Sequence, residues 1–261
     1  MTILKHELRQ NRWSFLIWTV SITLLLSVCV FLYPEMKGEM TSMNDMFASM
    51  GSFSQAFGMD RLNFGSFIGF YAVECGNILG LGGAFYACLT GASMLAKEEK
   101  NRTAEFLLSH PVSRQTIVTQ KLLAMMILIC TMNLIVFLVA IADTAMIHET
   151  IPWKDLLLMH SAYLLMQVEL GALCFGISAF LSRSSAATAM GLAILMYFLN
   201  LISNITDKAG FLKYVTPFGY CNAADIITDG HLDLSLIGIG LAITLLSIAA
   251  AYARYTRKDI C

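Results

Sequence analysis

The chain has 261 residues, of which 57% are hydrophobic and 13% charged, and its mean hydropathy is +0.68. A soluble globular domain carries about 25% charged residues, so this composition excludes one and points to a chain that crosses a bilayer several times. The net charge of −1 leaves no electrostatic case for a nucleic-acid partner, and the seven cysteines, none in a C-x-x-C pair, read as small buried hydrophobes rather than as disulfides or metal ligands.

Residues 2–13 place Leu4 and Leu8 on one helical face and Lys5, Arg9 and Arg12 around the other, and end at Trp13. That pattern fits a short helix lying on a membrane surface and equally a plain basic flank to the first span. The apolar run 14–33 is long enough to cross about 30 Å of hydrocarbon as a helix. In the following segment, 34–69, Met43, Met46, Phe47, Met50, Phe53 and Phe57 recur at steps of three and four, which predicts an amphipathic helix on the outer leaflet or on neighbouring spans. Further apolar stretches at 70–96, 122–146, 156–181, 186–203 and 234–253 bring the predicted spans to six. They are expected to be helices, because lipid cannot satisfy exposed backbone groups and no segment shows the alternation of a barrel strand. Residues 204–233 are too polar to span yet apolar enough to dip into a leaflet, and predict a re-entrant helical hairpin punctuated by Pro217 and Gly230. The expected fold is therefore all-α: one transmembrane domain over 1–261 with six helices plus short interfacial and re-entrant ones.

An even number of spans puts both termini on one side. Lys5, Arg9, Arg12, the five basic residues of 97–121, Arg183, Arg254, Arg257 and Lys258 all fall on that side, against Lys37, Arg61, Lys154, Lys208 and Lys213 on the other. The excess predicts cytoplasmic termini in a multi-pass protein of the cell membrane.

Ionisable groups within spans are costly, by about 2.5–3.5 kcal/mol on insertion scales, and so need a reason. Glu169 lies near the middle of the fourth predicted span, and Glu74, with Asn77 one turn on, lies in the second. Each has two readings: a group on a substrate or proton path, or a polar contact that glues helices together. His160 is expected near an interface, and no His, Cys, Asp or Glu spacing resembles a zinc site.

The stretch 97–121, KEEKNRTAEFLLSHPVSRQTIVTQK, is a charged connection between two apolar runs. Asn101 or Thr103 can cap a short helix over 104–109, His110-Pro111 stops it, and Ser113 can cap a new helix running through Lys121 into the third span. The short helix would carry Phe106, Leu107 and Leu108, which either fold back onto the span ends or plug a groove on another protein. No G-x-x-x-x-G-K-[ST] phosphate loop occurs, so nucleotide hydrolysis is not expected on this chain.

From Glu99 through Thr103-Ala104-Glu105-Phe106-Leu107-Leu108-Ser109-His110-Pro111-Val112-Ser113-Arg114 to Lys121-Leu122, the sequence resembles the E-x-x-x-G-T-x-E-x-L-L-S-x-P-x-S-R…K-x segment of bacterial ATP-binding-cassette transporter permeases of the drug- and peptide-exporting branch. Leu181-Ser182-Arg183-Ser184-Ser185-Ala186 and Thr216-Pro217-Phe218 are similar to that family too, while Arg102 stands where it often has glycine. The resemblance implies a six-span permease subunit that binds no cofactor itself and pairs with a second copy or a sibling. Two copies of a cytoplasmic ATPase subunit, carrying ATP and Mg, would drive it. It further implies that the 104–109 helix couples to the ATPase, with Glu99, Glu105, Phe106, Leu107 and Arg114 at the contact. The residues alone also allow a self-contained channel or proton-coupled carrier using Glu169, Glu74 and His160, or a resistance or sensor subunit that moves no substrate.

Overall fold

The computed structural model describes residues 2–100, 103, 112–181 and 186–258, and among them the regular structure is entirely helical. Besides the four-residue helical turn Lys97–Lys100, the helices in chain order are α1 (Thr2–Gln10), α2 (Arg12–Ser49), α3 (Ser52–Phe57), α4 (Phe67–Met94), α5 (Arg114–Met146), α6 (Trp153–Ser178), α7 (Ala186–Ile205), α8 (Ala223–Asp229) and α9 (Leu234–Arg257). Two 3₁₀ segments, Asp207–Tyr214 and Pro217–Cys221, lie between α7 and α8. Six of these helices, α2, α4, α5, α6, α7 and α9, are long and apolar enough to cross a membrane; even α7, with 20 residues, reaches about 30 Å.

The bundle is built around α4 and α6. Gly91 of α4 lies so close to α6 that a Cβ there would be 2.2 Å from the Gly171 carbonyl oxygen, and one at Gly83 would be 2.1 Å from Nε2 of Gln167. Small residues are what let helix backbones approach where lipid supplies no hydrophobic drive to associate. On the far side of α6, Gly176 abuts the Ser247 carbonyl of α9. The outer helices α2, α7 and α9 leave Leu24, Leu25, Leu195, Phe198, Leu245 and Leu246 exposed, a surface suited to acyl chains.

Sequence signals explain most helix ends. Ser66 accepts from the Gly69 amide, Ser113 from Thr116, Asn222 from Ala224 and Asp233 from Ser235, each satisfying an orphan donor of a first turn. Gly230 closes α8 in the left-handed conformation at φ 66°.

Three features go beyond the sequence reading. The helix of the first span does not stop at Pro34: α2 continues through it to Ser49. A mid-helix proline costs about 3 kcal/mol, and side-chain anchors flank it. Tyr33 meets Phe67 edge-on and Phe70 at a tilt and donates to the Gly65 carbonyl (3.0 Å), while Lys37 pairs with Glu149 at 2.5 Å. The amphipathic helix expected in 34–69 is thereby divided between the end of α2 and α3, which are separated at Gly51 (φ 57°). Lastly, α4 winds as a π-helix over Gly76–Leu81, a widening that period-based reading does not detect.

Candidate functional site

At the end of the bundle that carries both termini, charged side chains converge from four helices. Lys121, near the start of α5, is fully buried, and its ammonium group donates to Glu7 Oε1 of α1 (2.9 Å), Glu98 Oε1 (2.5 Å) and the Met94 carbonyl of α4 (2.6 Å). Its three donors meet three acceptors. Glu7, 1% exposed, also binds Lys97, which reaches Gln10 Oε1 at 2.8 Å. Burial pushes the Glu7 carboxyl up, but Lys121 and Lys97 together overcome it and hold the group below its ordinary value. With two carboxylates and two ammonium groups the cluster is neutral, as a buried set must be to avoid a stranded charge.

Beside it, Lys258, just past α9, pairs with Glu99 at 2.6 Å and donates to the Leu181 carbonyl after α6 (3.0 Å). Arg114, the first residue of α5, donates to the carbonyls of Lys258 (2.5 Å), Thr256 (3.4 Å) and Tyr255 (3.5 Å). Those C-terminal carbonyls lack helical partners, and a guanidinium there also meets the negative end of the helix dipole. The result is a clamp. Glu98 and Glu99 at one end of the 101–111 connection, and Arg114 and Lys121 at the other, are tied to α1, α4, α5 and α9.

Of the predicted contact residues, Glu99 and Arg114 are thus brought together on the last turn of α9, whereas Glu105, Phe106 and Leu107 lie outside the described residues. Sequence reasoning missed Glu7, Lys97, Glu98 and Lys121 as a set. One signal was available: Glu7 is the sole acid in an otherwise basic amphipathic helix, and it falls on the face of Leu4 and Leu8.

Deeper in the bundle, polar groups sit in separate contacts. Glu169 of α6, 3% exposed, accepts from the Tyr220 hydroxyl at 2.9 Å, and Gly240 of α9 leaves room for its carboxylate, since a Cβ there would lie 2.3 Å from Oε2. Tyr220 belongs to Pro217–Cys221, whose five residues are all buried, so this segment enters the bundle. Tyr220 also lines an open basin of about 570 Å³ with Lys213, Asp225, Asp229, His231 and Asp233. Glu74 accepts from the Cys29 thiol at 3.6 Å. Asn77, in the π-helical turn, faces the Tyr197 hydroxyl at 3.4 Å and, with Gly76, Tyr163, Asn200 and Asn204, lines a cavity of about 60 Å³. His160, expected near an interface, is instead buried, with Nε2 2.8 Å from the Tyr71 hydroxyl. Glu169, Glu74 and His160 therefore each face a different partner.

The π-helical turn is held from α6. Gln167 donates Nε2 to the Leu79 carbonyl (3.2 Å) and receives Asn133 Nδ2 on Oε1 (2.7 Å), so one glutamine binds α4 and α5 together through the bundle centre.

Across its whole length, residues 1–260, the chain matches the family described as ABC-2 family transporter protein. No curated protein matches it.

Proposed function

We propose, because this chain belongs to the ABC-2 transporter family and is a membrane permease component of an ABC transporter, that it works as an exporter subunit: paired with a second permease and driven by two ATPase subunits that carry ATP and Mg. The clamp is the observation that carries this reading. Where both flanks of a connection are held to α1, α4 and α9 by buried ion pairs and by the Arg114 hydrogen bonds, a displacement of those flanks reaches the spans, as coupling between a soluble motor and a membrane path requires. The excess of Lys and Arg on that side supports its facing the cytoplasm, where ATP is.

In this reading Glu105, Phe106 and Leu107 seat in a groove of the ATPase, with Glu99 and Arg114 fixing the approach of the connection. Glu169, Glu74 and Asn77 belong to the path or its walls, with Tyr220 linking Glu169 to the basin on the opposite face. The rival, a proton-coupled carrier working alone, is less well supported: its three ionisable groups are not linked into a relay by any hydrogen bond among the described residues. Replacing Phe106 and Leu107 by Asp is expected to abolish co-purification with the ATPase while the chain still inserts; unchanged assembly would sink the coupling role.

A further inference from the structure

On the lipid-facing side, α5 and α6 enclose a groove of about 290 Å³ whose walls include Cys130, Asn133, Phe137, His160, Ser161 and Leu164. It lies apart from Glu169, Tyr220 and the Asn77 cavity. Its walls are mostly apolar, with the exposed Ser161 at the rim, and two of its residues carry a buried polar atom without a protein partner: Asn133 Oδ1 and His160 Nδ1. Asn133 is 4% and His160 6% exposed.

The hydrogen-bond network fixes what Asn133 offers. The Leu79 carbonyl can only accept, so Gln167 must turn its amide nitrogen to it and its oxygen to Asn133. Asn133 must then present its nitrogen, and both of its hydrogens are used, on Gln167 Oε1 (2.7 Å) and the Ile129 carbonyl (2.9 Å). What remains on this wall residue is a pure acceptor. His160 is held by Tyr71 through Nε2, which leaves Nδ1 without a partner; when the tyrosine hydroxyl donates, Nδ1 carries the proton.

Depth decides what kind of molecule can meet these groups. Asn133 lies 13 residues before the end of α5, about 20 Å along its axis, and His160 lies seven residues into α6, about 10 Å along. Both are therefore below the headgroup level of a bilayer whose hydrocarbon is about 30 Å thick. A phospholipid keeps its polar atoms at the interface and offers only chain here, which would leave both atoms unsatisfied in a medium without water.

We propose that this groove binds a hydrophobic alcohol, a largely apolar molecule whose hydroxyl is sunk within the hydrocarbon and donates to Asn133 Oδ1, with a second polar group toward His160 Nδ1. The site does not depend on the ATPase coupling proposed above and survives its failure.

The test uses the full chain in nanodiscs and a long-chain secondary alcohol bearing a mid-chain hydroxyl and a diazirine, with its methyl ether as the control lacking a donor. Photolabelling by the alcohol is expected on peptides covering 130–137 and 157–164, about fivefold above the ether, the factor one lost hydrogen bond supplies. Asn133→Leu should remove that preference. Ser161→Trp, which fills the groove from its rim without touching the amide network, should remove the labelling in a chain of unchanged thermal stability. Equal labelling by alcohol and ether, labelling elsewhere, or persistence in Ser161→Trp would overturn the assignment. So would disulfide-linked dimers through Cys130, which would put a second copy of the chain over the groove.

Discussion

Substituting Glu7 by Gln keeps the volume of the side chain and removes one charge from a neutral buried set. The fully buried Lys121 then keeps Glu98 and the Met94 carbonyl but faces a neutral amide oxygen where the carboxylate stood at 2.9 Å, and Lys97 loses its carboxylate. Removing one partner of a buried pair costs about 3–5 kcal/mol, because the remaining charge is stranded. Glu98 still balances one of the two lysines and the amide oxygen still accepts, so the lower end, about 3 kcal/mol, is expected, seen as a lower thermal midpoint of the purified chain in detergent. The decisive measurement is the double variant. Adding Lys97→Met to Glu7→Gln leaves Lys121 facing Glu98, again neutral, and should recover most of the loss. Costs that simply add, or a Glu7→Gln chain within about 0.5 kcal/mol of the parent, would refute the clamp as an energetically coupled unit. The pH dependence has a definite sign. The folded-state pKa of Glu7 lies below its ordinary value of 4.5, so its contribution is fully present at neutral pH and is lost as pH falls from 4.5 through the lowered folded-state value. Glu7→Gln should flatten that part of the stability profile.

Gly91→Ala forces a methyl group to within 2.2 Å of the Gly171 carbonyl, so α4 and α6 must part at the closest point of the bundle. A loss of about 2–3 kcal/mol in thermal unfolding is expected, and a neutral result would mean that the two helices do not pack this closely. Tyr220→Phe takes the hydroxyl donor from a buried Glu169, whereas Glu169→Gln keeps an acceptor for it. The first should therefore be the less stable variant, by about 1–3 kcal/mol, and the second should keep its fold while altering transport or substrate-stimulated ATP hydrolysis.

Apolar run length identified the helices because a bilayer demands a minimum length and a satisfied backbone, and both leave marks on composition. Caps at Ser113 and Gly230 were legible for the same kind of reason: a hydroxyl that accepts from an amide three residues on, and a residue without a Cβ where φ is positive. The continuation of α2 through Pro34 was not, because its anchors come from Gly65, Phe67, Phe70 and Glu149, distant in sequence. Glu169 could be singled out by the cost of its charge, yet its partner could not, since Tyr220 reaches it only after the 217–221 segment has turned into the bundle. Lys121 was read as the last residue of a polar connection. Its burial depends on α1 folding over it to supply Glu7, a contact 114 residues apart in sequence.

That long-range contact bears on how force would pass through the molecule. A buried ion pair adds little net stability compared with an apolar core, because desolvation offsets the attraction. What it imposes is register. An apolar plug can slide or rotate at small cost, whereas Lys121, with acceptors on α1, on α4 and at Glu98, has one position in which all three are met. Arg114 on three carbonyls at the end of α9 is placed in the same way. A displacement of Glu98, Glu99 and Arg114, which flank the connection, must then either carry the helix ends with it or break several charged contacts at once. This is why replacing Glu7 and Lys121 together by apolar residues of similar volume is the sharpest separation of stability from coupling: such a chain should fold about as well as the parent, yet ATP hydrolysis by the ATPase proposed to pair with it should become less dependent on substrate.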